Sequence, residues 1–262
     1  MISIDLAGRR ALVTGGDSGL GAATAKSLAQ AGADVMIAYR GAPEAANAVA
    51  SSARTFGNKV VIVQLADVAR QSDVADLFAA VDRDLGGLDI LVNNAGMDGS
   101  HALCADADPV AWQRVIAVDL VGAFHCAREA VSRMSRQSRG VIINTTSVHE
   151  FIPWAGYSAY ASAKAGLSMF SKTLAQEVAA QGIRVLSIAP GAIKTPINAN
   201  VWQDINGLAD LDSKIPMGRI GEPDEVGHVI AFLCSDLASY ITGITVAVDG
   251  GMLLYPDFRH GG

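Results

Sequence analysis

The stretch from residue 147 to 166 reads SVHEFIPWAGYSAYASAKAG and gathers most of the reactive side chains in the chain. Tyr160 and Lys164 are four residues apart, which puts them on one face if the segment is helical. An ammonium one turn from a phenol favours the phenolate. A phenol so placed can take the proton from an alcohol or return it to a carbonyl. Tyr157 has Ala161 at the equivalent spacing and so lacks such a partner. Ser147 ends an apolar run and can donate a hydrogen bond to a substrate oxygen as charge develops there. The competing reading makes Tyr160 and Lys164 a surface helical pair, and other motifs must decide. His149 lies two residues past Ser147 and can hydrogen-bond a hydroxyl, although a single histidine more often serves structure. Trp154 reads as a packing residue.

A second group is the glycine loop TGGDSGLG at residues 14–21. Gly15, Gly19 and Gly21 permit a tight turn and close backbone approach, and a helix N-terminus that follows would face a phosphate. Asp17, Ser18 and Leu20 fill the other positions, and the lysine of a triphosphate-binding loop is missing. The next apolar run ends in AYRG. An acid expected there, about 20 residues beyond the glycines, would read the ribose 2′-hydroxyl of NAD. Tyr39 and Arg40 stand there instead, and Arg40 can pair with a 2′-phosphate. Asp17 argues the other way, so both cofactors are expected, with NADP favoured.

These groups need a scaffold. Val- and Ile-rich runs at 9–15, 33–39, 59–65, 88–94, 140–147, 183–190 and 243–250 are apolar on both faces, as parallel strands covered on two sides are. Ala-rich stretches of helical length lie between them, including 20–31, 43–56 and 160–181, and Gly32, Gly57 and Gly182 sit where helix C-terminal caps belong. The alternation predicts one doubly wound α/β domain over 1–262 with a mainly seven-stranded parallel sheet. Residues 191–222 carry Pro196, Pro216 and several glycines and read as a substrate lid.

Of the 262 residues 50% are hydrophobic and 18% charged, with a net charge of −6 and no basic block. Nucleic-acid binding through clustered Lys and Arg is therefore disfavoured. Cys104, Cys126 and Cys234 form neither an even set nor a C-x-x-C pair, which speaks against a disulfide scaffold or a thiolate metal site and fits a reducing cytoplasm. The N-terminus shows no secretory signal pattern, and no apolar run suffices for a membrane span.

The spacing T-G-x-x-x-G-x-G, NNAG at 93–96, Ser147 ahead of YASAK at 160–164, and PGAIKT at 190–195 resemble the short-chain dehydrogenase/reductase family over nearly the whole chain. SVHEFIPW, GAIKTPINAN, IPMGRIGEP, SYITGIT and DGGMLLYPDF look like its bacterial glucose 1-dehydrogenase branch. The resemblance implies a cytoplasmic NAD(P)-dependent oxidoreductase acting on a sugar or cyclic secondary alcohol. The alternatives are a ketone or 3-oxoacyl reductase, or a cofactor-sensing regulator on the same fold.

It assigns catalysis to Ser147, Tyr160 and Lys164. Where the family usually has Asn in an N-L-x-G stretch, VDLVGAF brings Asp119. If buried, its carboxylate would stabilise charge on Lys164; otherwise it caps or bends its helix. The implied cofactor contacts are Gly15, Asp17, Ser18, Gly19, Leu20 and Gly21 in the loop, with Tyr39 and Arg40 at the ribose. Asp67 and Val68 would lie at the adenine, and Asn93, Ala95 and Gly96 along the adenosine ribose. Tyr160, Lys164, Pro190, Gly191, Ile193 and Thr195 would lie around the nicotinamide end. Asp98, His149 and Asn198 are the implied substrate contacts, with Glu150 and Tyr255–Phe258 as neighbours and no metal. Glucose-oxidising relatives carry Glu at the position of Asp98. A homotetramer is implied, built from helices near 111–136 and 157–181 and the last strand. The apolar tail is expected to close one side of the substrate pocket.

Overall fold

Seven apolar runs become seven strands: β1 (Arg10–Thr14), β2 (Asp34–Tyr39), β3 (Val61–Leu65), β4 (Ile90–Asn93), β5 (Gly140–Thr145), β6 (Ile183–Pro190) and β7 (Thr245–Val248). The computed structural model describes residues 2–57 and 60–254, so the tail expectation at 255–258 lies outside the described residues. All strand pairings are parallel, in the order β3-β2-β1-β4-β5-β6-β7. Val13 of β1 pairs with Ile37 on one side and Val92 on the other. The chain therefore reverses its winding direction between β1 and β4, which opens a crevice at the carboxyl ends of those strands.

The helices cover both faces. On one, α1 (Gly19–Gln30), α2 (Pro43–Arg54) and α9 (Pro223–Cys234) bury Leu28, Val49 and Ile230 against Ile37 and Ile90. On the other, α3 (Gln71–Ala80), α5 (Ala123–Gln137) and α6 (Ser158–Val178) bury Phe78, Met134 and Leu174 against Leu12, Met36 and Ile142. These sandwiched strands need no polar face, which explains their unbroken apolar runs.

The helix ends follow local chemistry. Asp108 accepts the Val110 and Ala111 N–H groups and starts α4 (Pro109–Ile116), with Pro109 at the first helical position. Residues 179–181 tighten into a 3₁₀ turn that closes at Gly182, φ 74°, so α6 is shorter at that end than its sequence pattern suggests. Between α4 and α5 the helix continues through a π turn, Ala117–Gly122, which carries Asp119. Such turns rotate one residue out of α-register and occur frequently at functional sites. The irregular stretch 191–222 also contains two short helices, α7 (Ala199–Trp202) and α8 (Ile205–Ser213), that its Pro and Gly content obscures.

The amino ends of β1, β4 and β5 are held by one buried acid. Asp89 accepts Arg10 Nε at 2.8 Å, the Arg10 N–H at 3.0 Å and Arg139 Nη2 at 2.7 Å. Burial works against its charge, but the bonds from Arg10 and Arg139 outweigh it and hold the carboxyl below its ordinary value. Its stabilisation is therefore present above roughly pH 4 and lost as pH falls through the lowered folded-state value. Asp89→Asn is expected to lower the unfolding free energy by about 1–3 kcal/mol at neutral pH, and by progressively less in acid. Urea melts across pH 3–7 measure this; an undiminished difference at pH 3 would contradict it.

Candidate active site

β5 delivers the first reactive residue. It ends at Thr145, and Ser147 then starts a 3₁₀ turn, Val148–Glu150, in which its Oγ accepts the His149 N–H at 3.2 Å. After a loop, α6 places Tyr160 in its first turn and Lys164 one turn on, with Lys164 buried. Lys164 Nζ donates to the Thr145 carbonyl at 3.0 Å, lies 3.1 Å from Asp119 Oδ2, and sits 5.4 Å from the centre of the Tyr160 ring. The pair is therefore no surface contact.

Asp119 is fully buried, and its Oδ1 accepts the Met97 N–H at 2.9 Å. Its side chain thus bridges the strand-end loop after β4 to α6 and does not cap its own helix. Burial pulls the Lys164 ammonium down, but the charges of Asp119 and Tyr160 more than offset it and leave its pKa raised. Asp119 is itself pushed up by burial, against the pull of Lys164 and of the Met97 N–H. Gly96 makes the arrangement possible, because a Cβ there would come within 2.9 Å of Asp119 Oδ2 and 3.3 Å of Lys164 Nζ.

The glycine loop lies at the mouth of the crevice. A Cβ on Gly21 would strike the Gly15 carbonyl, so the loop can fold back on α1 only with glycine there. Ser18 stands at the N-cap without a side-chain cap bond, and the first turn of α1 holds no acid. That leaves the helix dipole unopposed for a phosphate, so the residues present fit a dinucleotide. Leu20 is half-buried against the core below. A Cβ on Gly19 would lie 3.4 Å from Thr195 Cβ, so the start of 191–222 runs beside the loop. Pro190 ends β6, the Gly191 N–H donates to Val248, and Ile193 is bridged to Gly221. Tyr39 is partly buried and Arg40 exposed at the end of β2, while Asp17 is partly buried.

Several of the expected contact residues have side-chain partners within the chain. The Asn93 side chain points into the core, where Nδ2 donates to Asn144 Oδ1 at 2.9 Å and to the Ala123 carbonyl at 3.1 Å. Its neighbour does the work at the loop: Asn94 Nδ2 donates to the Thr14 and Gly15 carbonyls, and Thr14 Oγ1 accepts the Asn94 and Ala95 N–H groups. Strand alternation in NN was the available signal, since successive side chains take opposite faces. Asp67 is tied to Arg114 at 2.7 Å and to the Ala69 N–H, beside buried Val68. Burial opposes its charge, but these bonds, with the fields of Arg114 and Arg40, hold its carboxyl low.

Asn198 is bonded within its own segment: its Oδ1 accepts from the Thr195 N–H and hydroxyl and its Nδ2 donates to the Ile193 carbonyl. Glu150 Oε1 accepts from Ser168 and Thr245. Asp98 remains, half-buried, with its carboxyl pushed up by burial and by the charge of Asp119 against bonds from the Asp98 and Gly99 N–H groups. His149 stacks on Trp154 with ring centres 4.4 Å apart, and burial pulls its imidazole down. Trp154, 38% exposed, is no core residue and belongs to a stack that also takes in Tyr157 and His101. These loop contacts carry no periodic sequence signal.

Comparison with known proteins places the whole arrangement. Residues 15–253 match the family described as enoyl-(acyl carrier protein) reductase. The chain is 45% identical to 3β-hydroxysteroid dehydrogenase 1 of Eggerthella lenta, over 98% of each chain. It is 38% identical to glucose 1-dehydrogenase 2 of Bacillus subtilis, over 97% of this chain and 98% of that one. A solved short-chain type dehydrogenase/reductase from Mycobacterium marinum superimposes with a TM-score of 0.90 at 33% identity, covering 96% of this chain and 98% of that chain. With its glycine loop, its parallel sheet and its Ser, Tyr and Lys side chains gathered at one sheet edge, the protein is an oxidoreductase and belongs to the short-chain dehydrogenase/reductase family.

Proposed function

We propose that the protein oxidises a cyclic secondary alcohol or a sugar with NAD(P), or runs the reverse reduction. The observation that carries this is the buried Lys164 ammonium, fixed by the Thr145 carbonyl and Asp119 beside the Tyr160 ring. When bound, a nicotinamide cofactor would supply the hydride acceptor for the carbinol carbon. Tyr160 takes the hydroxyl proton, and Lys164 favours the phenolate that receives it. Ser147 donates to the same oxygen and orients it. The Gly15–Gly21 turn and the start of α1 hold the pyrophosphate, Arg40 reads the ribose end with NADP favoured, and 191–222 closes over the cleft as a lid. Ketone or 3-oxoacyl reduction would use the same residues in reverse, whereas a non-catalytic regulator has no need of all three reactive side chains.

The relatives named above act on a hydroxysteroid and on glucose, which frames the substrate choice without deciding it. Val121, Phe124 and Met169 expose apolar surface on the π turn, α5 and α6, which suits the self-association of a tetramer. Among the described residues no helix is long and apolar enough to cross a membrane, and Cys104, Cys126 and Cys234 are free thiols, as suits a reducing cytoplasm.

Tyr160→Phe keeps the ring but loses the proton acceptor, so turnover should fall by about 100-fold or more while cofactor still binds; Tyr157→Phe should stay within a few-fold. Equal losses in steady-state rates would refute the assignment of the base.

Asp119→Asn removes a negative charge that partly cancels the field of Lys164 at Tyr160 and that also raises Lys164. Both limbs of the pH–rate profile should therefore move to lower pH, by roughly a unit. A purely structural Asp119 would lower the melting temperature and leave the profile in place.

Arg40→Ala should raise the Michaelis constant for NADP by roughly tenfold and hardly alter that for NAD, because only NADP carries the 2′-phosphate. Equal effects on both cofactors would show that Arg40 does not read that group.

A further inference from the structure

The amino ends of the strands border a second cavity, of about 500 Å³. Arg9, Arg139 and Arg184 line it, together with the starts of β4, β5 and β6 and the segment before β7. The crevice of an open α/β sheet lies at the other, carboxyl ends of its strands. Along β6, Arg184 stands about 20 Å from Pro190 at that far end, at roughly 3.3 Å per residue. The cavity is therefore separate from the glycine loop and from the reactive side chains.

Its charges do not balance. Asp89 is shared between two guanidinium groups, Arg10 at 2.8 Å and Arg139 at 2.7 Å. Asp236 pairs with Arg9 at 2.8 Å, but the Asp236 side chain is 87% exposed and that of Arg9 only 18%. Water therefore screens this carboxylate more than the cation it faces. Arg184 has no carboxylate partner among the described residues. Its Nη2 donates to the Ser235 carbonyl at 3.2 Å and its Nη1 to the Ile241 carbonyl at 3.4 Å. Both bonds are longer than the roughly 2.7–2.9 Å of a guanidinium bond to an oxyanion. Four cations thus meet two anions here, in a chain whose net charge is −6.

Arg184 bears the imbalance. It is the one residue of β6 that is not buried. Burial pulls its guanidinium down and the charge of Arg9 adds to this, against the opposing influence of Cys234 and Asp236. Cys234 brings no charge at neutral pH, because burial pushes its thiol up to about 12 against the pull of Arg184. The wall beyond the arginines draws on the apolar residues Ile90, Val141 and Ile183, and the fully exposed Tyr240 stands at the rim. A volume of this size suits a small organic molecule better than a bare ion.

We propose that this cavity is a binding site for a small phosphomonoester, its dianionic head held by Arg184 and Arg139 with Arg9 beside them and its organic body against Tyr240. A phosphomonoester carries a charge of about −1.5 to −2 at neutral pH and presents three strong acceptor oxygens. That matches the excess of two guanidinium groups, whose planar forks suit phosphate. The ligand joins the starts of β4, β5 and β6 to the segment before β7, so it stabilises the folded chain by mass action. The inference is independent of the oxidoreductase reading and of its substrate.

The test is calorimetric titration and thermal melting of the full-length protein with phenyl phosphate. One molecule per chain should bind and raise the melting temperature, and added salt should weaken the binding. Saturating NADPH or NADH should leave it in place, because the crevice lies at the other end of the sheet. Arg184→Met should weaken binding by about tenfold or more, the loss of one charge-assisted contact. Arg139→Met should do the same; its side chain is 53% exposed and its removal leaves Asp89 with Arg10, so the fold survives. Inorganic phosphate and benzoate should bind about tenfold or more weakly than phenyl phosphate. Tyr240→Ala, at a fully exposed side chain, should weaken phenyl phosphate several-fold and leave inorganic phosphate unchanged. No binding to the wild type, binding displaced by the dinucleotides, or binding untouched in the folded arginine variants would each overturn the site. Inorganic phosphate or benzoate binding as tightly as phenyl phosphate would overturn the choice of ligand, and an unaltered Tyr240→Ala the seat of its organic body. A purely structural Arg184 would lower the melting temperature of the free protein and leave the increment given by phenyl phosphate unchanged.

Discussion

A lysine ammonium that is almost wholly removed from water must be surrounded by groups that tolerate it, and the site is organised around that requirement. Burying an isolated cation costs several kcal/mol unless partners are close and well aligned. Lys164 finds two, the Thr145 carbonyl and the Asp119 carboxylate. Each fixes a different element. Thr145 ends β5, so the lysine pins α6 to the sheet edge where Ser147 emerges. Asp119 lies on the π turn and holds the Met97 N–H, so the same cation also anchors the loop after β4. Tyr160 inherits its place because it shares a helix face with Lys164.

The second organising feature is the crevice between β1 and β4, a consequence of strand order. Thr14 and Asn94 sew its two sides together, one from each strand. The glycine loop rises from one lip and the Asp119 anchor from the other. Thr14, Asn94 and Asp119 thus belong to one frame, while 191–222 and the rings of His149, Trp154, Tyr157 and His101 lie at its rim. Rigidity below and variation above is how one scaffold serves many substrates. The relatives reflect this, since chains that match this one over 98% of their length are a hydroxysteroid dehydrogenase in one case and a glucose dehydrogenase in another.

Asp119 illustrates how one substitution changes the balance of such a site. A neutral amide at that place would hold the local backbone but leave the ammonium with less compensation. The carboxylate strengthens the hold on Lys164 while diluting the field that Tyr160 feels. Gly96 is part of the same economy of space, because any side chain there would displace the ion pair.

The sequence by itself determined the layer architecture, the glycine loop and the shared helix face of Tyr160 and Lys164. Those features are written in local codes: unbroken apolar runs for sandwiched strands, glycine where backbones touch, and a spacing of four residues that a helix turns into one face. It also posed the alternatives for Asp119 without choosing. Only the tertiary structure decided that Asp119 faces Lys164, because a π turn sets its direction and no propensity rule foretells one residue of extra register. Burial and long-range pairing likewise turned Asn93 into the core, made Asn94 the loop clamp and sent Glu150 toward β7. The ring stack is the clearest case. Its members lie on loops 45 or more residues apart in sequence at its two ends, His101 and His149, and nothing in either segment announces the other. Contacts between distant loops depend on how the whole sheet twists and stacks, and that information exists only once the chain has folded.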